Sequence, residues 1–457
     1  MHKFTRKEFL ATAALTSLAP LALQGQTKKQ PRKQPNILLY IVDDQGMNDA
    51  KCYGNPVIKT PGLNILAENG VKFTKAFCTS ASCSASRSVI LSGLHNHANG
   101  TYGHIHSYNH FSSFNKIKTL PVLLEQAGYR TGRAGKYHVA PEEVFKFQKT
   151  FKGHSPKMMA ANCKSFIEEK SDKPFFLYFC THEPHRPFKR DGSDPIKPED
   201  VIVPPYLPDT KECRKELAKY YMSVQRADSG LLELINILKK TGHWEDTVIL
   251  YASDNGIAFP GAKTNLDEPA SRLPFVFRDP TQKKQGGTCN AILNYTCITP
   301  TLLDFAGALP KRNKFHGKSF KSIIGEENPK GWDETYMSHT FHEITMYYPM
   351  RVLREKRYKL IWNIASGLDY PFASDLYGSS TWKSVKKQGL ETYGKRSIKD
   401  YLKRPKFELY DLQTDPDEVK NLAYNPAHKK TLERMKTKLK TFQKKTRDPW
   451  IVKWSHE

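Results

Sequence analysis

Apolar positions along the chain fall into two alternating textures. Nearly unbroken apolar runs at Asn36 to Val42, Phe175 to Phe179, Thr247 to Ala252 and Leu273 to Phe277 read as strands covered on both faces. Arg130 to Gly135 reads as a further strand. Helical patterns lie between them. Thr60-Pro61 opens one as a cap, Leu63, Leu66 and Ala67 share its face, and Gly70 stops it. Ser86 to Leu94, Leu120 to Ala127 (ended by Gly128) and Thr299 to Phe305 are others. The longest is Lys211 to Lys240, where Leu217, Tyr220, Tyr221 and Val224, then Leu231, Leu232, Leu234 and Ile235, form the apolar stripe. Strands alternating with helices predict an α/β fold, a mixed and mostly parallel sheet sandwiched by helices. From about Arg351 the texture changes. Short segments such as Lys359 to Trp362 and Glu408 to Asp411 alternate with turns, and Lys429 to Lys445 is a basic helical stretch. We read a larger N-terminal domain over 36–350 and a smaller C-terminal α+β domain over 351–457, with a short antiparallel sheet.

In parallel sheets, sites gather at the carboxyl ends of strands. Two predicted strands end in acidic clusters, Asp43-Asp44 and Asp254-Asn255. All four side chains offer hard oxygen ligands, which suit calcium or magnesium and disfavour zinc. The length of 457 residues accommodates a large and a small core, and 39% hydrophobic residues with 24 phenylalanines exclude a disordered chain. A net charge of +25 attracts polyanions: nucleic acid, anionic lipid or acidic polysaccharide. None of the eight cysteines forms a Cys-x-x-Cys pair, so a zinc ribbon is disfavoured; one or two disulfides are compatible with an oxidising compartment. Residues 1–26 carry a basic start and an apolar stretch from Phe9 to Leu23, too short to span a bilayer comfortably. They read as a secretory signal, with 27–35 as a linker. Thr5-Arg6-Lys7-Glu8-Phe9-Leu10 resembles a twin-arginine signal with Lys in place of the second Arg. No later run has spanning length. The expectation is export to the periplasm or beyond, without stable membrane insertion.

The segment Cys83-Ser84-Ala85-Ser86-Arg87, continuing to Gly93, resembles the signature of the type I sulfatase family, Cys-x-Pro-x-Arg ahead of a helical turn. The likeness extends over about residues 36 to 450. It includes Thr60-Pro61-x-Leu63 with Leu66, Ala67, Gly70 and Phe73, and Gly135-Lys136-Tyr137-His138. His182-Glu183-Pro184-His185-Arg186-Pro187, Ser253-Asp254-Asn255-Gly256 and Leu409-Tyr410-Asp411-Leu412 with Asp415-Pro416 and Asn421-Leu422 continue it. Within the family it is most similar to the N-sulfoglucosamine sulfohydrolase (sulfamidase) branch. That similarity rests on Asn99-Gly100-x-Tyr102-Gly103, His110-Phe111-x-Ser113-Phe114, Phe259-Pro260 with Lys263-Thr264-Asn265-Leu266, and His342-Glu343-x-Thr345-Met346-x-Tyr348-Pro349-Met350-Arg351.

The resemblance implies an alkaline-phosphatase-like fold and a sulfatase. In the family the cysteine is oxidised to formylglycine (3-oxoalanine), whose hydrate attacks sulfur, splitting one difficult step into two. It implies that Asp43, Asp44, Asp254 and Asn255, with residue 83, hold Ca²⁺. Arg87 would orient the hydrate, and Lys136 and Lys263 would neutralise sulfate oxygens. His138 would assist collapse of the hydrate, and His185 would protonate the leaving atom. His182 is expected behind these groups; His342 and Glu343 are expected to contact sugar. Two positions depart from the pattern. Ala85 replaces the usual Pro, a variant associated with radical-type maturation, and Lys263 stands where the sulfamidase pattern has Arg. The expected partners are a sulfated sugar or oligosaccharide and a formylglycine maturase, with no nucleic acid; the resemblance also implies a homodimer. The substrate would carry an N-sulfo or O-sulfate group on a heparan-like or algal glycan. A phosphatase or phosphodiesterase of the wider superfamily and a catalytically inactive polyanion-binding protein are the competing readings.

Overall fold

The computed structural model describes residues 34–312 and 314–456. Residues 1–26, read above as a secretory signal, and the expected linker up to residue 33 lie outside the described residues. Among the described residues no helix is long and apolar enough to cross a membrane.

The large sheet has eight strands: β1 (Asn36–Val42), β2 (Val71–Phe77), β3 (Arg130–Gly135), β4 (Lys149–Phe151), β5 (Phe175–Cys180), β6 (Thr247–Ser253), β7 (Arg272–Arg278) and β8 (Gly287–Asn294). Their order is β4-β3-β5-β1-β6-β7-β2-β8. Strand β7 runs antiparallel to both its neighbours, β6 and β2, and the other pairings are parallel. Every residue of β1 is buried. Strand alternation sends Ile37, Leu39 and Ile41 into one core and Leu38, Tyr40 and Val42 into the other. Helix α1 (Pro61–Glu68) and the helix Lys211–Lys240 cover the second face, through Leu63, Leu66, Leu231, Leu234 and Ile235. Helix α2 (Cys83–Ser92), with Leu120–Gln126 and Ile298–Phe305, covers the first through Val89, Ile90, Leu120, Leu124 and Leu302.

The C-terminal sheet is antiparallel and four-stranded: β9 (Glu334–His339), β10 (Met350–Glu355), β11 (Tyr358–Asn363) and the strand Phe407–Asp411. It takes in residues from Glu334 onwards. One face holds Leu353, Leu360 and Trp362 against Leu432, Met435 and Leu439 of the helix Lys429–Thr446. Val352 and Ile361 on the other face pack with Phe77, Leu266 and Ile292.

Three local expectations change. Helix α2 begins at Cys83, three residues before the predicted start, which puts Cys83 in its first turn. Thr60 does not cap α1; its hydroxyl accepts from Lys51 N, and the buried carboxylate of Asp228 accepts from Gly62 N and Leu63 N, each at 2.8 Å. A long-range carboxylate at the positive helix end thus replaces the local cap. All eight cysteines are free, so no disulfide forms.

The chain's end is tied to β10 by a buried ion pair. Arg351 Nε and Nη2 donate to Asp448 Oδ2 and Oδ1 at 2.5 and 2.9 Å. Burial opposes the charge of Asp448, but Arg351 prevails and holds the carboxyl at about 2. Asp448→Asn leaves the guanidinium unpaired and is expected to destabilise the fold by about 3 kcal/mol, read as a lower urea midpoint. The folded pKa lies below the unfolded value of about 3.9, so this contribution is full above that pH and fades as pH falls through about 2. An unchanged midpoint at neutral pH would contradict it.

Candidate active site

Strands β1 and β6 pair in register, with Val42 opposite Ser253, so Asp43-Asp44 and Asp254-Asn255 leave the sheet side by side. All four side chains are fully buried. Asp44 adopts φ of 71°, a conformation costly for a non-glycine residue that is retained where surrounding structure enforces it. Its N–H donates to Asp254 Oδ1 at 3.1 Å, and its Oδ1 accepts from Asn255 Nδ2 at 2.5 Å. Cys83 joins them from the first turn of α2, its Sγ 3.4 Å from Asn255 Oδ1 and 3.7 Å from Asp44 Oδ1. One oxygen each from Asp43, Asp44 and Asp254, and Cys83 Sγ, all lie within 4.8 Å of one another.

Cations ring this acidic centre. Arg87, one turn along α2 from Cys83, is fully buried; its Nε donates to Asp254 Oδ2 at 2.8 Å and its Nη1 to Lys136 O at 2.9 Å. Lys136, just beyond β3, is ion-paired to Asp43. Lys263 Nζ bridges Asp44 Oδ2 at 3.0 Å and Asp375 Oδ2 at 3.1 Å. The balance is incomplete. Asp43 Oδ1 is buried without a hydrogen-bond partner, and burial pushes Asp254 up to about 7 against the pull of Arg87. Burial also opposes the charge of Asp43, yet Lys136, His185 and Arg87 hold it well below the usual carboxylate range. Three converging carboxylates, one with an oxygen that has no hydrogen bond and only Arg87 Nη2 at 3.6 Å, form a donor set that fits a hard divalent cation. Burial drives the Cys83 thiol well above its ordinary pKa, although Lys136 and Lys263 pull the other way. An unmodified Cys83 is therefore a poor thiolate nucleophile.

A cleft of about 770 Å³ opens over these groups. His185 lines it. Its Nδ1 meets Arg186 O at 2.5 Å, and its Nε2 lies 3.7 Å from Asp44 Oδ2 and 3.9 Å from Asp375 Oδ2. Burial and then Lys263 lower its pKa, with Asp44 opposing. His138, at φ of 53°, places Nε2 at 2.9 Å from His106 Nδ1. Of the expected sugar contacts, His342 is buried, with Nδ1 at 2.9 Å from Ser82 Oγ, and Glu343 accepts from Ser374 N and Oγ at 3.0 and 2.6 Å. Both line the cleft, as does the exposed His182. Among the cleft residues that escaped the sequence reading are His104, His106 and Asp375. The alternation His104-Ile105-His106, directly after the noted Tyr102-Gly103, was a usable signal; Asp375 had none.

A buried cysteine at a helix start, set beside converging carboxylates at the carboxyl edge of a mixed sheet, is an arrangement that could hold a divalent cation beside a reacting group. Comparison with known proteins specifies the family. The Sulfatase family model matches residues 35–308, and the model described as N-sulphoglucosamine sulphohydrolase, C-terminal, matches 262–371. The chain is 33% identical to human N-sulphoglucosamine sulphohydrolase over 479 aligned residues, covering 95% of this chain and 94% of that protein. It is 29% identical to an ulvan-active sulfatase of Formosa agariphila, covering 88% and 78% of the two chains. A solved structure in complex with its substrate D-glucosamine-2-N, 6-O-disulfate has the same fold, with a TM-score of 0.69 at 21% identity over 91% of this chain and 99% of that one. The chain belongs to the sulfatase family and is a hydrolase of sulfate esters.

Proposed function

We propose that this chain is an exported, Ca²⁺-dependent sulfatase that removes the N-sulfo group from a terminal glucosamine of a heparan-like fragment, after oxidation of Cys83 to formylglycine. One observation carries the chemistry: Cys83 Sγ lies within 4.8 Å of the oxygens of Asp43, Asp44 and Asp254, so a group built on its Cβ faces the cation pocket. The likeness to human N-sulphoglucosamine sulphohydrolase along almost the whole chain supports the substrate.

Asp43, Asp44, Asp254 and Asn255 would hold the ion, which when bound supplies Lewis-acid stabilisation to sulfate oxygens. Arg87, fixed by Asp254 and Lys136 O, orients the oxygens on residue 83. Lys136 and Lys263 bind the sulfate oxygens as fixed positive charges, needing no reorganisation during the reaction. His138 takes the hydroxyl proton on residue 83. With Nδ1–H donating to Arg186 O, His185 carries a proton on Nε2 only as imidazolium, and from that atom it protonates the leaving group. A bound sulfate neutralises Lys263 and so relieves one cause of the lowered His185 pKa. The basic surface, at +25 overall, draws acidic sugar fragments to the cleft. Secretion through the leader 1–26, a maturase suited to Ala85 and a homodimer complete the reading.

Lys263, a point charge where the sulfamidase pattern has a planar guanidinium, favours a second reading: an O-sulfatase on glycosaminoglycan or algal sugars. Matured protein is to be given N-sulfoglucosamine and 6-O-sulfated N-acetylglucosamine side by side. Sulfate release from the first alone is the expected result; release from the second alone replaces it with the ester reading. Chelation with EGTA is expected to abolish turnover and lower the melting temperature by about 3 °C, since an ion bound to the folded state stabilises it by mass action. Melting that ignores the chelator would count against the ion site.

A further inference from the structure

Asp375 stands in the short helix Ser374–Tyr377, whose first residue is pinned by Glu343. It lines the active-site cleft but is not one of the acids converging on Cys83. Lys263 donates to its Oδ2 at 3.1 Å. Its other oxygen, Oδ1, is buried and has no hydrogen-bond partner. His185 Nε2, the atom placed to protonate the leaving group, is 3.9 Å from Oδ2. A leaving atom seated on His185 therefore lies beside Oδ2, not the enclosed Oδ1, and Oδ2 keeps a second lone pair beyond the one that meets Lys263.

That neighbour has opposite consequences for the two kinds of sulfate. The bridging oxygen of a sulfate ester presents lone pairs and no hydrogen, so a carboxylate facing it is repulsive and stays unpaired. The bridging nitrogen of a sulfamate carries one hydrogen, and Asp375 can accept it. Resting on the reading of this site as one for an N-sulfo amino sugar, we infer that Asp375 accepts the N–H of the N-sulfo group and selects sulfamate over sulfate ester. As the oxygen on residue 83 bonds to sulfur, the S–N bond breaks, its electron pair goes to nitrogen, and that nitrogen is protonated from His185. The hydrogen facing Asp375 is not transferred, and the liberated amine remains attracted to the carboxylate. Asp375 thus acts as a specificity residue, supplying through the leaving atom what Lys263 alone does not supply through the sulfate oxygens.

The test is Asp375→Asn in matured protein, assayed on N-sulfoglucosamine and on 4-methylumbelliferyl sulfate, an ester without an N–H. For the sulfamate, kcat/KM is expected to fall roughly a hundred-fold, as when a buried partner for a substrate donor is lost, while the ester value is expected to rise, since the repulsion facing its bridging oxygen is removed. An equal fall on both would overturn the inference and leave Asp375 a support for Lys263. A second measurement needs no variant: glucosamine is expected to inhibit the parent enzyme about ten-fold more tightly than glucose, and equal inhibition would overturn the inference. Failure of the underlying reading looks different. The parent enzyme would then hydrolyse the ester and release nothing from N-sulfoglucosamine, and the inference would fall with it.

Discussion

Replacing Cys83 with alanine is expected to lower sulfate release by about four orders of magnitude or more, with a melting temperature within about 2 °C of the parent. The two effects separate because Cys83 does little for the fold. Its Sγ makes two long contacts, to Asn255 Oδ1 at 3.4 Å and Asp44 Oδ1 at 3.7 Å, and loses little when removed. The hydroxyl of the preceding residue is not free to replace it, since Ser82 Oγ is engaged with His342 Nδ1. The cation pocket and both lysines survive the change, so a sulfated ligand should still bind. A variant that kept most of its turnover would refute the role given to residue 83. Cys83→Ser is the informative companion, since a hydroxyl in place of the modified side chain can attack sulfur but cannot release sulfate by reverting to an aldehyde. It should turn over as poorly as the alanine variant.

Arg87→Ala is expected to damage fold and activity together. Its guanidinium is fully buried and forms the closest charged contact of Asp254, at 2.8 Å, while also holding the Lys136 carbonyl. Truncation leaves Asp254 buried beside Asp43 and Asp44 with its countercharge gone. Breaking such a pair costs about 3 to 5 kcal/mol, and the protein should lose most of its margin of stability. Arg87→Lys separates charge from geometry. Lysine restores a positive charge but cannot reach Asp254 and the Lys136 carbonyl as a rigid fork. Stability should recover in part, while kcat stays down by about a hundred-fold because the oxygens on residue 83 are no longer oriented. Full activity in the lysine variant would show that Arg87 contributes charge alone. Added Ca²⁺ is expected to offset part of the lost charge on Asp254 but not to restore turnover, since the ion cannot hold the Lys136 carbonyl as the guanidinium does.

Much of the large sheet was legible because its strands are written as apolar runs. β1, β3 and the helix Lys211–Lys240 occupy the predicted residues, and β5, β6 and β7 differ only at their ends. β2 was not legible. Val71-Lys-Phe-Thr-Lys-Ala-Phe is a half-polar strand with a register irregularity after Phe73, and its lysines hide the pattern. Nor could a local reading reverse β7, whose direction depends on where the chain enters the sheet. In the C-terminal part, β9 and β10 were hidden by charged and small residues on short strands, of which Glu334–His339 is typical. The convergence of Asp43, Asp44 and Asp254 was legible because these acids follow strands directly. His185 and Lys263 became legible only through their motifs, since isolated histidines and lysines carry no positional signal. Asp375 was not legible at all. It follows an irregular segment, and the sheet and loops that bring it to Lys263 across 112 positions of sequence leave no local trace.

The most direct test is to measure, on one preparation co-expressed with a maturase, the fraction of residue 83 converted from thiol to aldehyde by peptide mass, together with sulfate release from N-sulfoglucosamine. Turnover is expected to rise in proportion to the converted fraction across preparations and to extrapolate to zero when Cys83 is wholly unmodified. Substantial turnover by protein whose residue 83 is entirely thiol would contradict the account.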